Sequence, residues 1–328
     1  MRRLRRIVRW LRGNLLAATG LGMLAVVILA AILAPLLTPY SPQEGFAPLQ
    51  PPSSAHWLGT NDLGYDLWTE LLFGARFSLL LGALAAAAAV GVGWALGTLA
   101  GYSDAAGGVI MRVVDVLLSV PRFAIIVLMA SFARPGFWNL LLFFALFGWP
   151  PVARIVYGHV RSERRQEYVL ALRAVGVPAR KVLLRHLAPA SLPIAYARYV
   201  AEMQHVIMGE VGLAYLGLGD PLTRSWGMTL SHASRYQALL ISDVWRWWAL
   251  PSGLAIAVTC LALVFLGLAL EPLANPRLRR WAPAGVGGDL PERRPAEELP
   301  KERSVAMERG PSASGTTRQA MQPPGTPR

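Results

Sequence analysis

Long apolar runs alternate along this chain with short polar intervals rich in Arg or Pro. A helix crossing ~30 Å of hydrocarbon takes ~20 mostly apolar residues, and six stretches have that length: 15–37, 77–99, 109–132, 138–156, 194–215 and 249–270. The third is interrupted by Arg112, Asp115 and Arg122, the fifth by Arg198, Glu202, His205 and Glu210. The pattern predicts a basic N-terminal tail (1–13), a first transmembrane helix (14–38), an extramembrane segment (39–76) and a five-helix core (77–280). Beyond it, residues 281–328 have too few bulky apolar side chains to offset the entropy of ordering, so a disordered tail is expected there.

Composition supports the membrane reading. Hydrophobic residues make up 54% of the 328 and charged residues 16%, too few to cover an ordinary soluble surface. The net charge is +13, and its basic residues cluster between apolar runs, which indicates membrane topology and no nucleic-acid partner. Six Arg fall between Arg2 and Arg12, residues 39–75 hold no Lys or Arg, and eight basic residues, Arg154 to Arg185, run from the end of span four to the start of span five. Since basic loops resist translocation, the N-terminal tail and the loop after span four are expected inside and the 39–76 segment outside, with both termini cytoplasmic. The first apolar run exceeds the core of a secretory signal and no clear A-x-A site follows, so a retained helix is expected. Trp245, Trp247 and Trp248, just before span six, fit an interfacial aromatic belt.

Chemistry is sparse. Cys260 is the single cysteine, and the five His lack metal-ligand spacing, so neither a disulfide nor a metal site is expected. No cofactor is expected. No G-x-x-x-x-G-K-[ST] phosphate loop occurs, and with Lys181 and Lys301 as the only lysines, any ATP hydrolysis must occur on separate subunits. Ionisable groups at the centre of a span cost ~2.5–3.5 kcal/mol on insertion scales, so each needs a partner or water. Arg112 and Asp115, three apart, are expected to pair. Glu202, His205 and Glu210 are candidates for a water-filled pathway, although Glu202 fits an inner-leaflet position equally well. Asp62 and Asp66, with Glu70, form an acidic outer stretch suited to docking or gating. Gly93, Gly97 and Gly101 clear one stripe of span two for another helix.

After span four the chain reads as two short helices broken at Gly176 and Pro178. The second has Val182, Leu183 and Leu187 on one face and Arg180, Lys181 and Arg185 on another, and is expected to close at Pro189 and Pro193. The fold class is thus an all-α membrane protein with six transmembrane helices and a helical cytoplasmic loop (160–193) between spans four and five.

The words of that loop, Q-E-Y-V-L-A-L-R-A-V-G-V-P-A-R-K-V-L-L-R-H-L-A-P-A-S-L-P from Gln166, resemble the coupling loop of ABC-importer permeases. The likeness is to the binding-protein-dependent dipeptide/oligopeptide/nickel family and extends over about residues 12–279. It includes H-W-L-G-T-N-D-L-G-Y-D from His56, M-R-V-V-D from Met111, G-W-P from Gly148, E-V-G-L from Glu210, L-G-L-G from Leu216, S-W-G from Ser225 and N-P-R-L from Asn275. The resemblance implies a bacterial or archaeal plasma-membrane permease for peptides or a similar small solute. It would be paired with a homologous permease subunit, two ATP-binding subunits and an extracytoplasmic solute-binding protein. In the family a Glu-Ala-Ala triplet stands six residues before the loop Gly; here Leu170, Ala171 and Leu172 precede Gly176, with Glu167 one turn earlier. These five are the expected ATPase-coupling residues. Tyr65 stands where the family usually has a basic residue. The rivals are a proton-coupled secondary transporter using intramembrane carboxylates, for which no inverted repeat is evident, and a membrane-embedded enzyme, for which no constellation is evident.

Overall fold

In the computed structural model, residues 13–220, 223–239 and 241–274 are described; the expected N-terminal basic tail (except Gly13) and the expected disordered tail lie outside them. Helix α1 (Leu15–Ile32) starts at Asn14, whose side chain accepts from the Ala17 amide at 3.1 Å, and gives way at Leu33 to a single turn, α2 (Ala34–Leu37), with Pro35 in its first turn. Arg76 satisfies the end of α1: Nε donates to the Ala31 carbonyl at 2.8 Å and Nη2 to that of Ile32 at 3.3 Å.

Helix α3 (Leu67–Tyr102) is the spine, beginning ten residues before the expected start of span two because Asp66 caps it. It packs along α6 (Phe137–Glu163) through the glycine stripe. A Cβ at Gly93 would lie 2.7 Å from the Trp149 carbonyl, at Gly97 2.6 Å from that of Ala153, and at Gly101 2.7 Å from Val160 Cβ. Pro150 and Pro151 sit inside α6 without ending it.

Span three, expected as one helix, is two: α4 (Asp104–Leu118) and α5 (Arg122–Phe132), bent by 77°. Pro121 is the N-cap of α5, with non-helical ψ of 113°, and has no amide to continue the bonding of α4, which breaks the run. After α6 come α7 (Glu167–Ala174) and α8 (Ala179–Val182), then a π turn (Leu183–Leu187) that leads directly into α9 (Ala188–Tyr215). Pro189 and Pro193 therefore do not close the second loop helix. Pro189 falls in the first turn of α9, where a missing amide costs little, and the wider turn before it absorbs the mismatch.

The chain ends its described part with α10 (Trp226–Arg235), a 3-10 turn (Asp243–Arg246) and α11 (Ala249–Ala274), which packs against α9 and α1. Of the three expected belt tryptophans, Trp248 is core and meets Tyr236 at 5.9 Å, Trp247 is half-buried against the same cluster, and Trp245 is exposed. No strand occurs among the described residues, only the isolated bridges Gly45–Tyr65 and Thr60–Asp66. Four stretches are long and apolar enough to cross a membrane: α1, α3, α6 and Asp243–Pro272, which holds most of α11. Counted as one broken span, the bent pair α4–α5 would be a fifth. The fifth expected span corresponds to α9, 28 residues long, which carries Arg198, Glu202 and Glu210 and is not among these apolar stretches.

Candidate functional site

At one end of the bundle the α7–α8 hairpin stands out from α6. Helix α7 stops by a Schellman closure: the Val177 amide donates to the Leu172 carbonyl and the Gly176 amide to that of Arg173, both at 3.0 Å, with Gly176 at φ +76°. Val169, Val182 and Leu187 are fully buried against Val156 and Val160 of α6. Tyr168 donates its hydroxyl to Glu163 Oε1 at 2.8 Å, and burial with that bond pushes its pKa up to about 12, so it stays a neutral donor. Of the expected coupling residues, Glu167, Leu170, Ala171 and Gly176 face outward, while Leu172 is turned in and packs on the valine cluster. Leu170 is 53% and Val175 77% exposed, so the outer face of the hairpin is apolar as well as basic.

The hairpin base is tied to the α3–α4 joint. Arg164 binds Asp104 with both nitrogens, at 2.7 and 3.2 Å, and donates to the Tyr102 carbonyl at 2.6 Å; the Arg173 guanidinium lies 5.2 Å from the Tyr102 ring. Sequence reading did not find this joint, because its members come from four separate elements.

Within the bundle the charges find partners that local spacing did not indicate. Asp115 pairs with Arg154 of α6 and not with Arg112 on its own helix. Arg122, at the start of α5, pairs with Glu202 of α9, which is 1% exposed. Gly148 of α6 makes room for this contact, since a Cβ there would stand 2.6 Å from Glu202 Oε1 and 3.2 Å from Arg122 Nη2. His205 is exposed and its ring lies 2.7 Å from the Ala201 carbonyl. Glu210 is buried and accepts from Ser225 Oγ at 2.6 Å, next to Gly227. Glu202, His205 and Glu210 therefore do not share one opening: two are committed to internal partners and the third faces outward.

At the other end, residues 38–66 fold into a cap. Asn61 Oδ1 accepts from the amides of Leu63 (2.9 Å) and Tyr65 (2.8 Å), with Gly64 at φ +83° completing the turn. Asp66 Oδ2 accepts from the amide and hydroxyl of Thr69, both at 2.8 Å, and its Oδ1 lies 2.9 Å from His56 Nδ1. Asp66 is buried by these contacts and offers nothing to a docking protein; Asp62 is exposed. The positive charge missing from this acidic stretch comes from Arg224, whose guanidinium is 3.1 Å from Glu70, 3.9 Å over the Tyr65 ring and donates to the Pro42 carbonyl at 3.1 Å. Among the described residues no group of three or more potential metal ligands occurs.

Known proteins carry the same arrangement of sequence. The model for the binding-protein-dependent transport system inner membrane component matches residues 78–280, and that for the N-terminal TM domain of oligopeptide transport permease C matches 3–52. A probable peptide ABC transporter permease protein of Sinorhizobium fredii, y4tQ, is 34% identical over 279 residues, 84% of this chain and 93% of that one. The oligopeptide transport system permease protein OppC of Bacillus subtilis is 32% identical over 82% of this chain and 88% of its own length. The di/tripeptide transport system permease protein DppC of Pseudomonas aeruginosa is 32% identical over 81% and 89%.

Proposed function

The chain belongs to the family of binding-protein-dependent transport system inner membrane components and is a membrane permease of an ABC importer, and on that premise we propose that it carries short peptides. It works beside a homologous permease, two cytoplasmic ATP-binding subunits and an extracytoplasmic solute-binding protein. Six spans cross the membrane, with α9 as the fifth and both termini cytoplasmic. The hairpin within 160–193 seats on the ATPase subunits. Its exposed Tyr168, Leu170 and Val175 support that role, because apolar side chains pointing away from a bundle ask for a covering partner. The family's coupling Glu is replaced by Leu170, so the grip is apolar, with Glu167 one turn earlier as the nearest carboxylate. Closure of the ATPase pair moves the hairpin as a rigid body, since Val169, Val182 and Leu187 root it in α6 and α9. Of the two carboxylates expected to dock the solute-binding protein, Asp62 is the exposed one. The names of the relatives, which concern peptides, oligopeptides and di/tripeptides, are what favour a peptide cargo.

The test is reconstitution of the complete assembly in vesicles with labelled di- and oligopeptides. Leu170→Arg with Ala171→Arg should lower ATP-dependent uptake at least tenfold while the complex still forms. Undiminished uptake would sink the coupling role. Uptake by this chain alone under a proton gradient would instead favour the secondary-transporter reading.

A further inference from the structure

The bent pair α4–α5 carries a polar stripe at helical spacing. Arg112, Asp115 and Ser119 recur at intervals of three and four, and Arg122 follows three residues later across the bend. All but Arg122 are exposed, and its side chain is still 25% exposed. Only Gly107 and Val114 of α4 are buried; Val109, Val113 and Val116 are exposed beside the stripe, and Asp115 reaches across to α6.

Its depth follows from two antiparallel helices in register. At the hairpin end α4 and α6 are joined by Asp104 and Arg164. From there Asp115 lies about 16 Å along α4 and Arg154 about 15 Å along α6, at about 1.5 Å per residue. Those two residues meet again in the second ion pair, so with the first pair set at the membrane edge the second lies well inside a ~30 Å hydrocarbon layer. Yet Asp115 is 64% and Arg154 47% exposed. By contrast, the exposed mid-helix faces of α1 and α11 are apolar, as at Val26, Leu29, Val258 and Leu261. A charged pair open to lipid at this depth is unfavourable, and a dry protein interface would strip water from both groups and from Arg112.

We propose that the Arg112–Asp115–Ser119 stripe with Arg154 lines an aqueous route through the membrane, so that this face of the broken span looks onto water and not onto lipid or a dry subunit contact. The route's use for solute rests on the importer reading; its wetness does not.

Cys260 is the single cysteine, so a Cys260→Ser background allows one thiol at a time to be placed. In the full assembly in vesicles, Ser119→Cys is close to isosteric, and Gly158→Cys sits one turn beyond Arg154 where an added Cβ meets no atom within 4 Å. Both should react with a membrane-impermeant cationic thiosulfonate at least tenfold faster than Val26→Cys and Leu261→Cys. Equal, slow reaction at all four positions overturns the proposal, as does a Ser119→Cys thiol that resists the reagent but crosslinks to the neighbouring permease. If uptake is normal and Ser119→Cys is inert, only the water-lined stripe fails. If Ser119→Cys reacts fast in an assembly with no ATP-driven uptake, the stripe stands and the importer reading falls.

Discussion

Gly97 and Gly176 are both glycines that the sequence singles out, yet they are required for different reasons. At Gly97 the backbone is helical and an added methyl would press on the Ala153 carbonyl at 2.6 Å, so Gly97→Ala forces α3 and α6 apart at about 1–3 kcal/mol. At Gly176 nothing lies within 4 Å, and the cost of Gly176→Ala is the left-handed backbone alone, about 1–2 kcal/mol. Melting of the purified assembly should therefore respond to both, but only Gly97→Leu should worsen it steeply over Gly97→Ala. Equal losses for Leu at the two positions would contradict this. The buried pair is a second residue-level case: Glu202→Ala leaves Arg122 without its carboxylate, and the loss should fall toward the lower end of ~3–5 kcal/mol because Arg122 is partly exposed. A double replacement, Arg122→Met with Glu202→Met, should recover most of that stability; no recovery would show that the pair is not the unit. His232 in α10 is half-buried, and burial lowers its pKa. Its neutral form is thus favoured by folding, so its contribution is fully present above about pH 6.5 and is lost as pH falls toward the depressed value. Between pH 7.5 and 5, His232→Gln should flatten the decline in melting temperature; an unchanged slope would exclude this group.

At the scale of elements, the family words turn out to be structural devices. H-W-L-G-T-N-D-L-G-Y-D builds a turn and the cap of α3, in which Asp66 serves both His56 and Thr69. Asp66→Ala removes the helix cap, worth about 1 kcal/mol, and strands a buried His56, so protease added to the cap side should cut within 38–66 several-fold faster. Unaltered cutting would mean that other contacts hold the cap. The hairpin's helix-break-helix form was legible from Gly176 and Pro178, as was its buried Val182 and Leu187 face. The inward turn of Leu172 was not, since it depends on how α7 leans on α6. The break in span three was missed because hydropathy over 109–132 carries no angle, although Pro121 inside the run was the local signal for it.

Across the whole molecule, three ion pairs follow one another from the hairpin base toward the bend: Asp104–Arg164, Asp115–Arg154 and Arg122–Glu202. They connect the proposed ATPase contact to the broken span. Asp104 is 73% exposed, so Asp104→Ala should leave stability almost unchanged, yet in the reconstituted importer uptake should drop several-fold at unchanged ATP hydrolysis. Uptake and hydrolysis falling together would place the defect elsewhere. The sequence by itself determined the apolar runs, the glycine stripe, the hairpin break and the family, because each of these is written within a few neighbouring residues. Tertiary structure alone decided the partners in these three pairs. Asp115 and Arg154 are 39 residues apart and Arg122 and Glu202 are 80 apart; local spacing favoured Arg112 for Asp115, and only the packing of α6 and α9 against the bend brings the actual partners within reach.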